Sequence, residues 1–436
     1  MANTLRGVQI AAESVFGSIV DGAISVGGLT WLTPEVEGIS GLAFPFELEA
    51  NERDEQRDHW GELPVEPATT WTGGTRRKHA AGGTISVTII PRNFGAGVGD
   101  ISEAVDLVLY QLLRTVMAER TTPAAWSDVV SAGVDTTNFT PTTLASFRDG
   151  DLILYEVDGK LQVSQVTDKA GGNVVHSPAA TTGLTNQTVY LPQCVYQSRR
   201  GTGYSSSVAI RAEAQGRRRI YTGCRLESVT FRSQGGRLLA DCTIRYVHAE
   251  PDDAAGAVTG GTNLANARPD NTGSSVPHTR GVHSAISAAV PATGPAEQAT
   301  IKVNLQKDGP WEATFSWELQ EVGHTDDMTG VANLEPISFS AEVTLNLDQL
   351  LATVTNDRRD QVQRTICLPA GPLGSGQGFA IFVPGGVLKS DPDALDFGGI
   401  IRTAPLVYGA GDAALCDTDN TADEDLGLVY IGFQGA

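Results

Sequence analysis

Phe44-Pro45-Phe46-Glu47-Leu48-Glu49 and Phe315-Ser316-Trp317-Glu318-Leu319-Gln320 repeat one pattern in two distant parts of the chain. In both, aromatic, aromatic and Leu fall at i, i+2 and i+4, the spacing of one face of a β-strand. Each copy is followed by a second alternating run, Thr84–Ile89 after the first and Ser340–Leu345 after the second. A helix-like stretch comes next in each case, Ile101–Glu119 and Leu347–Thr355. The shared strand–strand–helix order predicts a duplicated structural unit. A chain with two copies of one unit and no catalytic constellation is expected to build something rather than to turn something over.

At 436 residues the chain exceeds what one hydrophobic core usually serves, so two or three domains are expected. Hydrophobic residues make up 41%, enough for real cores and too many for a disordered chain. The 49 glycines, with frequent Thr, Val and Ala, favour short strands joined by many turns. The expected class is mainly β with a minor helical part: tandem β-barrel or sandwich units, each with a flanking helix, plus a small inserted β subdomain.

A net charge of −20 argues against DNA or membrane binding, which concentrates Lys and Arg to neutralise phosphates. The acidity is strongest from Ile301 onward, where 20 acidic residues face seven basic ones. Solubility explains such a charge, and so does a surface that must repel nucleic acid. The five cysteines are scattered and include no CxxC pair, which disfavours a disulfide framework or a zinc site. The N-terminus lacks a signal-peptide h-region and no run of about 18 apolar residues could span a bilayer. Synthesis in a reducing cytoplasm is the expectation.

Along the chain, Asp100 and Glu103 are spaced as a capping box for the helix Ile101–Glu119. Val105, Val108, Leu109, Leu112, Leu113 and Val116 form its buried stripe. Residues 120–140 are rich in Thr, Pro and Ser and are expected to be loop. Phe147 to Val166 predicts a hairpin turning at Asp158-Gly159, and Val189–Val195 a further strand. The first unit is thus expected over 1–137 and 201–250, interrupted by the β subdomain at 138–200. Residues 251–298, poor in large apolar side chains, form a linker or arm, and 299–436 the second unit. Strands in that unit are expected at 299–305, 312–322, 337–346, 364–369, 378–388, 398–408 and 426–433.

Catalytic motifs such as GxSxG, HExxH or a P-loop do not occur, and the seven histidines do not cluster. The acidic run from Asp417 to Asp425 fails the calcium-loop register, with Ala422 where Gly is needed and Leu428 where a bidentate Glu is needed. No cofactor or metal is expected. The basic runs Arg76-Arg77-Lys78 and Arg217-Arg218-Arg219 suit intersubunit salt bridges in so acidic a protein; solvated turns are the plain alternative.

The segment from Tyr221-Thr-Gly-Cys-Arg-Leu-Glu-Ser-Val-Thr-Phe to Leu238-Leu-Ala-Asp-Cys-Thr-Ile-Arg-Tyr246 resembles part of the tail tube proteins of long, non-contractile-tailed bacteriophages. The insertion around Phe147–Val157 and the strand Phe379-Ala-Ile-Phe-Val-Pro are similar to that family too. The resemblance implies a β-barrel or sandwich with a flanking helix, whose subunits form rings that stack into a hollow tube conducting DNA from capsid to host. It implies a virion tail location, partnership with tape measure and with tail terminator or tip proteins, and passage of DNA without specific binding or any membrane contact. With two units per chain, three chains would make a pseudo-sixfold ring; six chains is the other count. A DNA conduit should carry acids on its lumen, for which Glu47, Glu49, Glu52, Asp54, Glu318 and Glu321 are the candidates, about half of them facing inward by strand alternation. The alternatives are another virion component (a tail terminator, decoration or adhesive protein) and, more distantly, a carbohydrate-binding β-sandwich. For glycosidase chemistry Glu312 and Glu318 lie roughly 20 Å apart along a strand, too far for a catalytic pair.

Overall fold

The computed structural model describes residues 5–20, 23–24, 28–29, 31–32, 36–40, 83–91, 108–120, 125–157, 160–198, 204–205, 207–214, 217–234, 237–251, 286–289, 298–299, 311–324, 331–345, 363–371, 373, 378–390, 395–396, 402–403, 406–410 and 427–434. The first copy of the repeated pattern, Phe44–Glu49, lies outside them, as do Glu52, Asp54, Arg76–Lys78, Leu347–Thr355, the acidic run 417–425 and most of the 251–298 arm.

The fold is mainly β and is organised by one strand, Arg217–Gln234, 18 residues long. Its first part pairs with Ser207–Ala214 on one side and His248–Pro251 on the other. Its second part has different neighbours, Arg237–Tyr246 and Trp311–His324, all antiparallel. The change of partners falls at Gly223, which adopts φ +63° where the ladder to Ser207–Ala214 skips register between Val208 and Ile210. A left-handed glycine in a bulge bends and re-aims a strand. A Cβ here would meet the Phe16 ring at 3.1 Å and Val247 Cβ at 3.2 Å, so conformation and space both demand glycine.

The bend has its own hydrogen-bond acceptor. The buried Glu13 carboxylate accepts the Gly223 N–H at 3.1 Å, the Gly17 N–H at 3.2 Å and the Ser207 hydroxyl. A carboxylate removed from water survives only with such donors, and each charge-assisted bond is stronger than a neutral one. Glu13 ends the strand Leu5–Glu13, which pairs along its length with Ser207–Ala214. The N-terminal strand therefore locks the turning point of the central one.

From the second half of the central strand a meander runs through Trp311–His324, Val331–Leu345 and Leu406–Ala410 on one side, and through Arg237–Tyr246, Gly83–Ile89 and Val36–Ser40 on the other. Leu406–Ala410 also pairs with Phe379–Leu388, which continues the sheet to Gly427–Phe433, Gln193–Ser198 and Ala118–Glu119. Phe231 and Phe379 lie four strands apart in that order, about 19 Å if the sheet were flat. Their ring centroids are 5.3 Å apart, so the sheet folds over on itself as a sandwich. Phe379 in turn meets Phe433, and Phe433 meets Tyr110 of the helix, edge to face at 5.3 and 5.9 Å.

The helix is shorter than expected. Val108–Arg114 is helical, with Val108, Leu109, Leu112 and Leu113 buried as the stripe predicted, and residues 101–107 are outside the described set. The expected end at Glu119 is wrong, because Ala118 and Glu119 are extended and pair with Tyr196 and Val195. The Thr115 hydroxyl bonds the Leu112 carbonyl while its own carbonyl accepts Arg225 Nη1 at 2.6 Å, and tertiary contacts thus end the helix where local propensity would continue it.

A closed six-stranded barrel is inserted between Ala118–Glu119 and Gln193–Ser198, two paired strands of the sandwich. Its strands are Ser127–Gly133, Asn138–Pro141, Leu152–Val157, Lys160–Ala170, Asn173–Ser177 and Thr188–Tyr190. The hairpin expected at Asp158-Gly159 is present, with Val157 opposite Lys160. The stretch 120–140, expected to be loop, supplies two of these strands, since barrel closure gives even a weakly apolar segment partners on both sides. Val130, Phe139, Phe147, Ile153, Tyr155, Val166 and Val174 are among its core residues.

The barrel sits on the outer face of the sandwich. Leu152, Leu154 and Val163 pack with Cys194, Cys367, Ala380, Phe382 and Tyr430, while Phe379, Ile381 and Val383 face the sandwich core. Phe379–Leu388 is thus buried on both faces, which explains its unbroken apolar run. Arg120 seals the junction, bonding Asp151 at 3.0 Å and the Asp149 carbonyl. We expect Gly223→Ala to destabilise the protein by about 2–4 kcal/mol, from the strained φ plus the clash with Phe16 and Val247. Urea unfolding checks this, and a change below about 0.5 kcal/mol would contradict the role given to the bend.

Candidate interaction surface

Five neighbouring strands of the sandwich alternate apolar residues inward and polar residues outward, and their registers align the polar residues in rows. Ser86, Thr243, Ser228, Ser316 and Ser340 stand in succession across Gly83–Ile89, Arg237–Tyr246, the central strand, Trp311–His324 and Val331–Leu345. The adjacent row is Thr88, Asp241, Thr230, Thr314 and Glu342. The inward partners on the same strands are Val87, Cys242, Val229, Phe315 and Ala341, all buried. The result is a broad, hydroxyl-rich sheet face on the opposite side from the core.

Side chains of the second row bond one another in pairs. Thr88 donates to Asp241 at 2.6 Å, Thr230 and Thr314 are 3.0 Å apart, and the Arg232 guanidinium bridges to Asp241. Further out, Glu312 and Glu318 are exposed, and Glu318 accepts the Ser338 hydroxyl at 3.1 Å. Lys389 approaches Glu342 at 3.5 Å, and Arg245 bonds both the Leu319 carbonyl at 2.9 Å and Glu321 at 3.1 Å. Arg232, Arg245 and Lys389 are each engaged by an acid, while Glu312 and Glu318 have no ion pair among the described residues. The face is polar and neutral to acidic, with most of its row residues half-buried and Ser340 and Glu342 exposed.

Of the acids proposed from the sequence, Glu318 stands on this face and Glu321 is exposed beside it, paired with Arg245. Glu47, Glu49, Glu52 and Asp54 lie outside the described residues, as do Arg76, Arg77 and Lys78. Arg217 and Arg218 open the central strand opposite Ala214 and Glu213, with only their backbones described. Arg219 is 3% exposed, inside the fold rather than on its surface. The aligned hydroxyl rows were missed from the sequence. Each strand's alternation was visible in it, but register between distant strands is not.

The hairpin that carries Glu312 and Glu318 is held from behind. Trp317 Nε1 donates to the Gln197 side-chain carbonyl oxygen Oε1 at 2.7 Å, and Arg225 Nη2 donates to Asn333 Oδ1 at 3.0 Å. Arg225 also lies over the Tyr204 ring at 4.8 Å, a cation–π contact. Burial lowers its pKa to about 10, which leaves the guanidinium charged at neutral pH. The four described cysteines are buried free thiols, and burial raises the pKa of each, so none is set up as a nucleophile. Among the described residues no group of three or more His, Cys, Asp or Glu could hold a metal ion, and no helix is long and apolar enough to cross a membrane.

Fold and surface together define a mainly β protein, a folded-over sandwich with an inserted barrel and one extended polar face. No known family model matches the chain, and no curated protein matches it. Adjacent positions on the hairpin should respond oppositely to substitution. Trp317→Ala should cost about 3–5 kcal/mol by opening the core and stranding Gln197. Glu318→Lys should stay within about 0.5 kcal/mol of wild type. Parallel denaturation curves read both, and a large loss for Glu318→Lys would show that the polar face is an internal contact.

Proposed function

We propose that the chain is a structural protein of a phage virion, which polymerises as stacked rings into the hollow tail tube through which DNA passes. The reading starts from the sequence resemblance at 221–246, 147–157 and 379–384. The observation that carries it further is the polar face: the 221–246 segment contributes two central strands of a sheet whose outer side is lined with hydroxyls and acids. A wall of this kind lets a polyanion slide, because hydrated hydroxyls offer no strong contact and carboxylates repel phosphates at short range. It is a scaffold reading, with no enzymatic activity, cofactor or membrane contact, and with the chain itself, tape measure, terminator and tip proteins as partners.

In this reading the sheet face carrying Glu312, Glu318 and Glu342 turns to the lumen, and heterologous contacts between rings extend the tube along its axis. The described residues form one folded-over sandwich with an inserted barrel, so the repeat alone does not fix the count, and a ring of three chains or of six fits this reading. Two-dimensional class averages of the purified protein test the assembly. Rings or tubes with threefold or sixfold symmetry are expected; a monomer at high concentration, with no tubes in the particles it came from, overturns the proposal. A charge test addresses the lumen. Tubes of the Glu312→Lys/Glu318→Lys/Glu342→Lys variant should retain short duplex DNA in a salt-dependent manner, whereas wild-type tubes should not.

A further inference from the structure

His176 is the one ionisable side chain in the core of the inserted barrel whose charge could change near neutral pH, among the described residues. It is 1% exposed, on the strand Asn173–Ser177 opposite the buried Val166. Phe139 and Tyr155 enclose its ring at centroid distances of 5.7 and 5.8 Å, from the strands Asn138–Pro141 and Leu152–Val157. The groups around it leave little to receive a cation. The Tyr155 hydroxyl is taken by Ser164 at 2.7 Å, Ser164 bonds the Pro178 carbonyl, and the Thr137 carbonyl accepts the backbone N–H of His176. Lys160–Ala170 presents Val166 to the ring, and the segment after Ser177 presents the Pro178 carbonyl. Asp135, in the turn before Asn138, is the charge acting on it; that carboxylate is exposed and already holds Thr137 and Asn138 through four bonds.

We propose that His176 makes the barrel an acid-sensitive element, one that opens ahead of the sandwich when the pH falls. Burial lowers the imidazole from an ordinary 6.5 to about 4, against the opposing pull of the Pro178 carbonyl and Asp135. Above 6.5 the ring is neutral in both closed and open barrels and contributes no pH dependence. Below 6.5 the open form takes up the proton and the closed form does not, so opening grows more favourable until about pH 4. Asp135, lowered to about 2 by its hydrogen bonds, stays charged throughout this window. No histidine is among the described buried residues of the sandwich, whose buried acid Glu13 is held by three hydrogen-bond donors. The barrel is also joined to the sandwich through one adjacent strand pair, so it can open without unpairing the larger sheet.

Hydrogen–deuterium exchange of the full chain, read on peptides from 127–190 and from 217–246, tests this. Between pH 7 and pH 4.5 the barrel's opening constant should rise on the order of 50- to 100-fold more in wild type than in His176→Phe, which keeps every carboxylate. Peptides from 217–246 should show no such difference. Equal pH dependence in wild type and variant overturns the proposal. Should His176→Phe fail to fold, deuterium exchange at the imidazole C2 of wild type decides the matter: a midpoint near 6.5 in a protected barrel sinks the idea, and one near 4 supports it.

Discussion

The architecture depends on the bend at Gly223 and on the buried carboxylate that answers it. A strand of ordinary twist could pair with only one set of neighbours, but this one serves two. Glycine supplies the left-handed backbone, and Glu13 accepts the N–H that the bulge removes from the ladder. Because Glu13 also takes Gly17 and Ser207, one side chain ties the N-terminal strand, its following turn and the central strand to a single point. Removing the acceptor would leave buried donors without a partner, which costs more than any one of these bonds contributes.

Around that point the chain economises on surface. The folded-over sheet buries Phe231, Phe315, Phe379 and Phe433 between its layers, and the barrel covers the second side of Phe379–Leu388. The barrel leaves and rejoins the sandwich on neighbouring strands, so the insertion adds a second core without breaking the first. Closure removes the edges that a free six-stranded sheet would expose to other chains. The junction is partly polar, with Arg120 and Gln193 fixing the barrel's orientation while Leu152, Leu154 and Val163 supply the contact area.

The polar face raises a different physical question, how a large sheet can stay open to solvent without sticking. Thr230 and Thr314 bond one another, Thr88 bonds Asp241, and the arginines of the face are paired with carboxylates within the same surface. What remains is hydration and a modest excess of acid. For a tube wall this combination favours passage over binding, which is the physical content of the tail-tube proposal.

Much of the fold was legible in the sequence. The buried stripe of the helix, the Asp158-Gly159 hairpin and the strands at 312–322, 337–346, 364–369, 378–388 and 426–433 follow from periodicity and turn chemistry, which are local properties. The helix end at Arg114, the strands inside 120–140 and the single sheet joining the central strand to Trp311–His324 were not legible, because each is decided by a partner far away in the chain. The same limit hid the candidate site. Alternation told which residues of each strand face outward, and so that Glu318 would be exposed. Only the tertiary register, which one skipped residue at Glu227 or Gly223 would shift, brought Ser86, Thr243, Ser228, Ser316 and Ser340 into one row.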